Sequence, residues 1–208
     1  MKRELRIFPG KIEVRAKENS SELPKIGGYG AVFNTLSEEL WGFREQVAPG
    51  AFAESIEKDD IRALIDHIPA FIIGRNVAGT LTLSEDDQGL LYEVSPPDNT
   101  NGRNIVESVR RGDVSQSSIG FYTLDESWEK KDGIIIRTLS KIQLFDVSPV
   151  TYPAYPTTSV DMRSLWPEGR PDQIEIAIEE IRKQAAGNLP PMVDVEYLRR
   201  RVRLAEVE

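Results

Sequence analysis

The chain has no cysteine and only one histidine, His67, in 208 residues. Without cysteine there is no thiolate nucleophile, no disulfide, no Cys-based zinc site and no iron–sulfur cluster. One histidine cannot build a multi-His metal centre. No run of 18 apolar residues is present, so no membrane-spanning helix is expected. The start, Met1-Lys2-Arg3-Glu4-Leu5, lacks the apolar stretch of a signal peptide. Basic excess is also missing. The net charge is −8, which argues against a general nucleic-acid binder; the local cluster Arg199-Arg200-Arg201 with Arg203 is the exception. What remains, 39% hydrophobic and 29% charged residues, fits a globular domain with its own core, in a setting compatible with cytoplasm.

The first 160 residues read mostly as short strands. Leu5 to Phe8 and Lys11 to Arg15 are β-prone runs around Pro9-Gly10, a hairpin-type break. Gly28-Tyr29-Gly30-Ala31-Val32-Phe33 reads as a strand whose glycines permit close backbone approach. Ala51 to Lys58 suits a short helix, and Ile61 to Ile65 is an apolar run ending at Asp66-His67. Gly79 to Leu83 and Leu90 to Val94 alternate apolar and polar residues around a turn at residues 85–89. Asn101 to Arg111 reads as a helix, with Ile105 and Val109 four apart and Gly112 at the usual C-terminal stop. Ser115 to Tyr122 and Gly133 to Leu144 are further strands. This pattern predicts an α+β fold, a small closed or strongly curved β-barrel with peripheral helices. Composition changes after Tyr155. Residues 1–155 form the expected domain, 156–171 a proline-bearing linker, and 172–208 a helical tail, with Ile174, Ile178, Ile181 and Ala185 on one stripe.

The chemistry centres on His67, Ser118 and Asp146. A histidine is the natural general base near neutral pH. Ser118 lies in the apolar frame Val114-Ser115-Gln116-Ser117-Ser118-Ile119-Gly120-Phe121, and Asp146 in Leu144-Phe145-Asp146-Val147-Ser148. A hydroxyl, a base and a group that fixes the base's tautomer are what acyl transfer needs. Each type also has a structural use, as a hydrogen-bonded core histidine, a small strand residue or a turn former. Other patterns carry less. Gly28-Tyr29-Gly30 lacks the third glycine and helix of a dinucleotide site. Ser127-Trp128-Glu129-Lys130 has a Ser-x-x-Lys spacing in a charged, turn-like stretch.

Five blocks in order carry a family resemblance. They are Gly28 to Asn34; Glu45 to Phe52 with its Pro49-Gly50-Ala51-Phe52; His67 through Gly74-Arg75; Ser115 to Phe121; and Phe145 to Ala154. Over about residues 27–160 the chain resembles the prohead (capsid maturation) proteases of tailed bacteriophages, similar in fold to the herpesvirus assembly proteases. The resemblance implies a serine endopeptidase with Ser118 as nucleophile and His67 as base. The herpesvirus enzymes use a second histidine as third member. This chain has none, so Asp146 takes that place, in a block where relatives often carry Glu. No metal or organic cofactor is implied. The implied substrates are the major capsid protein or scaffold, and the enzyme itself, cut inside the assembling procapsid in the host cytoplasm. A homodimer is compatible with this reading. Backbone N–H groups of residues 148–154 are the expected oxyanion donors. The rival reading is an inactive procapsid assembly protein that keeps the fold, which the helical tail would suit.

Overall fold

The computed structural model describes residues 2–15, 23–40, 42–151, 174, 176, 178–181 and 183. In chain order the elements are β1 (Glu4–Arg15), β2 (Lys25–Val32), β3 (Arg44–Val47), α1 (Ala53–Lys58), β4 (Arg62–Ile65), β5 (Ile68–Arg75), β6 (Leu81–Glu85), β7 (Gly89–Val94), α2 (Thr100–Arg111), β8 (Gln116–Lys131) and β9 (Ile134–Val150). The strands form one sheet in the order β5-β4-β9-β8-β1-β2-β7-β6, with β3 paired in parallel to β9. The sheet curls until its ends meet. A Cβ added to Gly74 on β5 would fall 2.3 Å from the Val94 side chain of β7, so only glycine permits this approach. The result is the nearly closed, barrel-shaped sheet with few helices that the strand pattern predicts.

The strand β1 corrects the expected hairpin at Pro9-Gly10. The chain does not turn back there. Glu4 to Ile7 pair with β8, Ile12 to Arg15 pair with β2, and the register with β8 shifts between Ile7 and Lys11. Proline has no N–H to give a ladder, so Pro9-Gly10 serves as an irregularity that bends one continuous strand from one neighbour to the next. The strands β3 and β5 were not expected. β3 is four residues long and buries a charged residue, Glu45, at one of its two inward positions, and the first five residues of β5 are exposed, so neither carries an apolar alternation in its sequence.

Period-2 alternation sends Ile119 and Val147 into the main core with Ile26, Ala31, Leu90 and Val94. The helix α2 closes one side through Ile105, Val106 and Val109. Asn99 caps it by accepting from the Gly102 N–H, and Gly112 ends it at φ 82°. A second cluster joins Leu40, Phe43 and Ile135 to Ile174 and Ile178. Among the expected linker and tail, residues 174, 176, 178–181 and 183 are described and helical. The rest of 156–208 lies outside the described residues. No helix among the described residues is long and apolar enough to cross a membrane.

Four charged side chains lie buried on the core-facing side of the sheet. Arg137 Nη1 donates to Glu4 Oε2 and Glu45 Oε2, both at 2.7 Å, and Arg6 donates to Glu4 at 2.7 Å and Glu45 at 2.9 Å. Burial alone would raise the Glu4 carboxyl, but Arg6 and Arg137 bring it down to about 2. The network anchors the start of β1 to β3 and β9.

Candidate active site

The face of the sheet opposite that network collects the polar residues singled out from sequence. On β8 and β9, Ser118 stands opposite Ser148, and Gly120 opposite Asp146; β1 places Ile7 beside Ser118 and Leu5 beside Gly120. Directly opposed residues of an antiparallel pair point to the same face. Ser118, Asp146 and Ser148 therefore converge, while Ile119 and Val147 between them fill the core. Gly120 has a steric task here. A Cβ at that position would lie 2.3 Å from Asp146 Oδ2 and 2.8 Å from Arg3 Nη2.

His67 arrives from a different direction. It occupies the second place of a two-residue turn, Asp66-His67, between β4 and β5. Both residues have positive φ, 51° and 57°, as a type I′ hairpin turn requires. Asp and His enter that region more readily than most residues, yet each non-glycine residue there costs of order 1–3 kcal/mol. The turn is therefore held from outside. Asp66 N–H donates to the Pro149 carbonyl at 3.0 Å. Asp66 Oδ1 accepts from the Thr151 N–H at 2.7 Å, and Oδ2 from the Thr151 hydroxyl at 2.8 Å. The parallel pairing of Arg62 with Asp146 and Ala63 with Val147 lays β4 beside β9, which brings the turn over Asp146.

The three groups form a continuous chain. His67 Nδ1 lies 2.5 Å from Asp146 Oδ1, and His67 Nε2 lies 2.6 Å from Ser118 Oγ. Ser118 and Asp146 are only 3% and 2% exposed. Asp146 Oδ1 also accepts from the Ser148 hydroxyl at 2.7 Å, and Oδ2 is paired with the Arg3 guanidinium. Burial works to raise the Asp146 carboxyl; the His67 hydrogen bond and charge, the Ser148 hydroxyl and Arg3 outweigh it and hold the group below the ordinary carboxylate range. An ionised Asp146 fixes the proton on Nδ1 and turns the Nε2 lone pair toward Ser118.

Ser118 Oγ has a second acceptor, the Arg6 carbonyl at 3.0 Å. Two proton arrangements are thereby satisfied. With neutral His67, the hydroxyl donates to Nε2. With His67 protonated, Nε2–H donates to Oγ and the hydroxyl proton turns to Arg6. The site can store a proton on the imidazole while His67 and Ser118 both keep their hydrogen-bond partners.

The neighbouring serines are placed otherwise. Ser117 points to the opposite face, 2.6 Å from the Tyr92 hydroxyl, whose ionisation burial pushes up. Ser115 is exposed. Of the expected oxyanion donors in 148–154, the Thr151 N–H is committed to Asp66, and residues 152–154 lie outside the described residues. Sequence reasoning missed Arg3; it considered Asp66 only as a substitute for Asp146, and residues 148–154 only as oxyanion donors, so the side-chain roles of Asp66, Ser148 and Thr151 were not foreseen. Ser148 shares a strand face with Asp146 two residues away, a signal that was present.

A family model described as caudovirus prohead serine protease matches residues 10–167. No curated protein and no solved structure matches the chain.

Proposed function

Since the chain belongs to the caudovirus prohead serine protease family, we propose that it is an endopeptidase whose nucleophile is Ser118, whose general base is His67 and whose orienting carboxylate is Asp146. The observation that carries this reading is the unbroken contact chain Asp146–His67–Ser118, at 2.5 and 2.6 Å. Prohead proteases act inside the procapsid on capsid or scaffold protein. The finer reading is that this enzyme removes scaffolding segments and also cleaves itself.

Catalysis follows from the proton positions. Ser118 Oγ attacks the scissile carbonyl while its proton moves to His67 Nε2. The imidazolium so formed sits against the Asp146 carboxylate, which stabilises its charge. The same Nε2–H then protonates the leaving amine, and an acyl-enzyme ester remains on Ser118. Water, deprotonated by Nε2, attacks that ester; the peptide acid leaves and Ser118 regains its proton.

Residues 1–155 would be the protease unit, 156–171 a linker and 172–208 a tail that recruits the enzyme into the shell and is trimmed later. Burial of Ile174 and Ile178 against Leu40, Phe43 and Ile135 favours a tail whose beginning docks on the protease unit. Co-expression with the capsid and scaffold proteins of the same phage tests the function. Their shortening with the parent enzyme and persistence with Ser118→Ala are expected. Full-length proteins in both cultures would leave the assembly reading in its place.

A further inference from the structure

The stretch matched by the family model begins at residue 10, yet two contacts to the triad come from before it. Arg3 pairs with Asp146 Oδ2, and the Arg6 carbonyl accepts from Ser118 Oγ. We propose that the segment Arg3 to Ile7 is a working part of the active site, with Arg3 the positioning residue that keeps Asp146 from trapping His67 in its protonated form. This rests on the triad assigned above.

Asp146 is buried. A carboxylate at 2% exposure needs a counter-charge. When His67 is protonated, the imidazolium supplies it. When His67 is neutral, as a base must be, that charge is gone. Among the described residues, Arg3 is the cation that remains paired with it. Without it, the buried carboxylate would favour the imidazolium and so remove the base at neutral pH. Arg3 sits in a place made for it. Gly120 leaves the space its guanidinium fills, since a Cβ there would come within 2.8 Å of Nη2 and 3.2 Å of Nε. Its Nε is buried and has no hydrogen-bond partner among the described residues, an arrangement that costs stability and that a merely solubilising arginine would relieve by turning outward.

Other charged groups around Asp146 are otherwise engaged. On β4, Arg62 stands opposite Asp146 in register, but its guanidinium is bonded to Asp60 at 3.0 Å. In the turn, both carboxylate oxygens of Asp66 are taken by Thr151. On β8, the neighbours Ser118 and Gly120 carry no charge. On β1, Glu4 and Arg6 turn their side chains to the other face, into the buried network. That network is the anchor: it fixes the backbone between Arg3 and Ile7, so that Arg3 and the Arg6 carbonyl are both aimed at the site.

The single histidine makes the test direct, because every imidazole signal in a magnetic-resonance spectrum belongs to His67. Full-length parent, Arg3→Met and Arg3→Lys are titrated by the ring signals, and kcat and KM for a capsid-derived peptide are followed over the same pH range. In Arg3→Met the ring midpoint and the acid limb of kcat/KM should both rise by about one pH unit. The rate at pH values below the limb should fall roughly tenfold and recover at alkaline pH, with KM within about twofold of the parent. Arg3→Lys should return both toward the parent. An unchanged ring midpoint in folded Arg3→Met, or a loss of rate equal at every pH, would overturn the proposal. The ring titration needs no cleavage, so a parent that cuts nothing would refute the protease assignment while the midpoint still decides the role of Arg3. Should Arg3→Met not fold, Arg3→Gln replaces it, with the same outcomes.

Discussion

Asp66 grips Thr151 at two points, taking its backbone N–H on Oδ1 at 2.7 Å and its hydroxyl on Oδ2 at 2.8 Å. This ties the turn that carries His67 to the chain leaving β9, the strand that carries Asp146. Two members of the proposed triad are thereby held in register by a pair outside it. Asp66→Ala should destabilise the fold by about 1–2 kcal/mol, the usual worth of two partly exposed hydrogen bonds. It should also lower kcat more than it raises KM, because the loosened turn lets the imidazole leave its position. Asp66→Asn, which keeps one acceptor, should fall between. Denaturant titration and steady-state kinetics on the three proteins check this; equal kcat in all of them would show that the clamp has no part in catalysis.

Gly120→Ala should damage activity without unfolding the protein. The added methyl would meet Asp146 Oδ2 at 2.3 Å. That atom is the tip of a side chain, so the carboxylate can swing aside, and in doing so it leaves His67. A displacement of this size at a catalytic group costs roughly a hundredfold in rate. Turnover of a capsid-derived peptide, beside circular dichroism, is the measurement. A folded Gly120→Ala at parental rate would mean that Asp146 does not act through its present position.

Asp146→Asn preserves the size of the side chain and removes its charge. The amide cannot stabilise the imidazolium, and it can present an N–H where Nδ1–H should donate. A loss on the order of a thousandfold or more in kcat is expected, with KM little altered. Near-parental turnover would move the orienting role to another group.

Acid should weaken the anchor of β1. The Glu4 carboxyl is held at about 2 in the folded protein, against an ordinary value of 4.5. A depressed folded value means that the carboxylate stabilises the fold above the unfolded value and that this contribution drains away as pH falls through the folded one. The window is therefore pH 4.5 down to about 2. Glu4→Gln should be less stable than the parent at neutral pH, and the gap should narrow across that window. Urea unfolding at a series of pH values reads it; a gap that stays constant down to pH 2 would place the stabilising charge elsewhere.

How much of this was legible in the sequence depends on what encoded each part. The barrel was legible because strands with one face in the core alternate, as Leu90 to Val94 do. His67, Ser118 and Asp146 were legible as types, and the block resemblance tied them together. The turn at Asp66-His67 was not, because two consecutive positive φ values without glycine run against local preference and are held by bonds from Asp66 to Pro149 and Thr151, far along the chain. Arg3 was hidden for a related reason. Its role depends on the strand pairing that sets Leu5 beside Gly120 and Asp146, and no local pattern marks an arginine near a chain start as the partner of a distant carboxylate. The continuous β1 was misread because Pro9-Gly10 has the composition of a turn, and whether such a pair reverses a strand or merely bends it is decided by which neighbours are available on either side.

The central claim is that Ser118 is a nucleophile activated by His67. Treating the full chain with a fluorophosphonate probe and locating the adduct by peptide mass spectrometry tests it most directly. The account predicts phosphonylation of Ser118, none of Ser115 or Ser117, labelling slowed by orders of magnitude in His67→Ala, and a rate that rises with pH through the titration of the imidazole. An adduct on another residue, or labelling at the parental rate in His67→Ala, would contradict it.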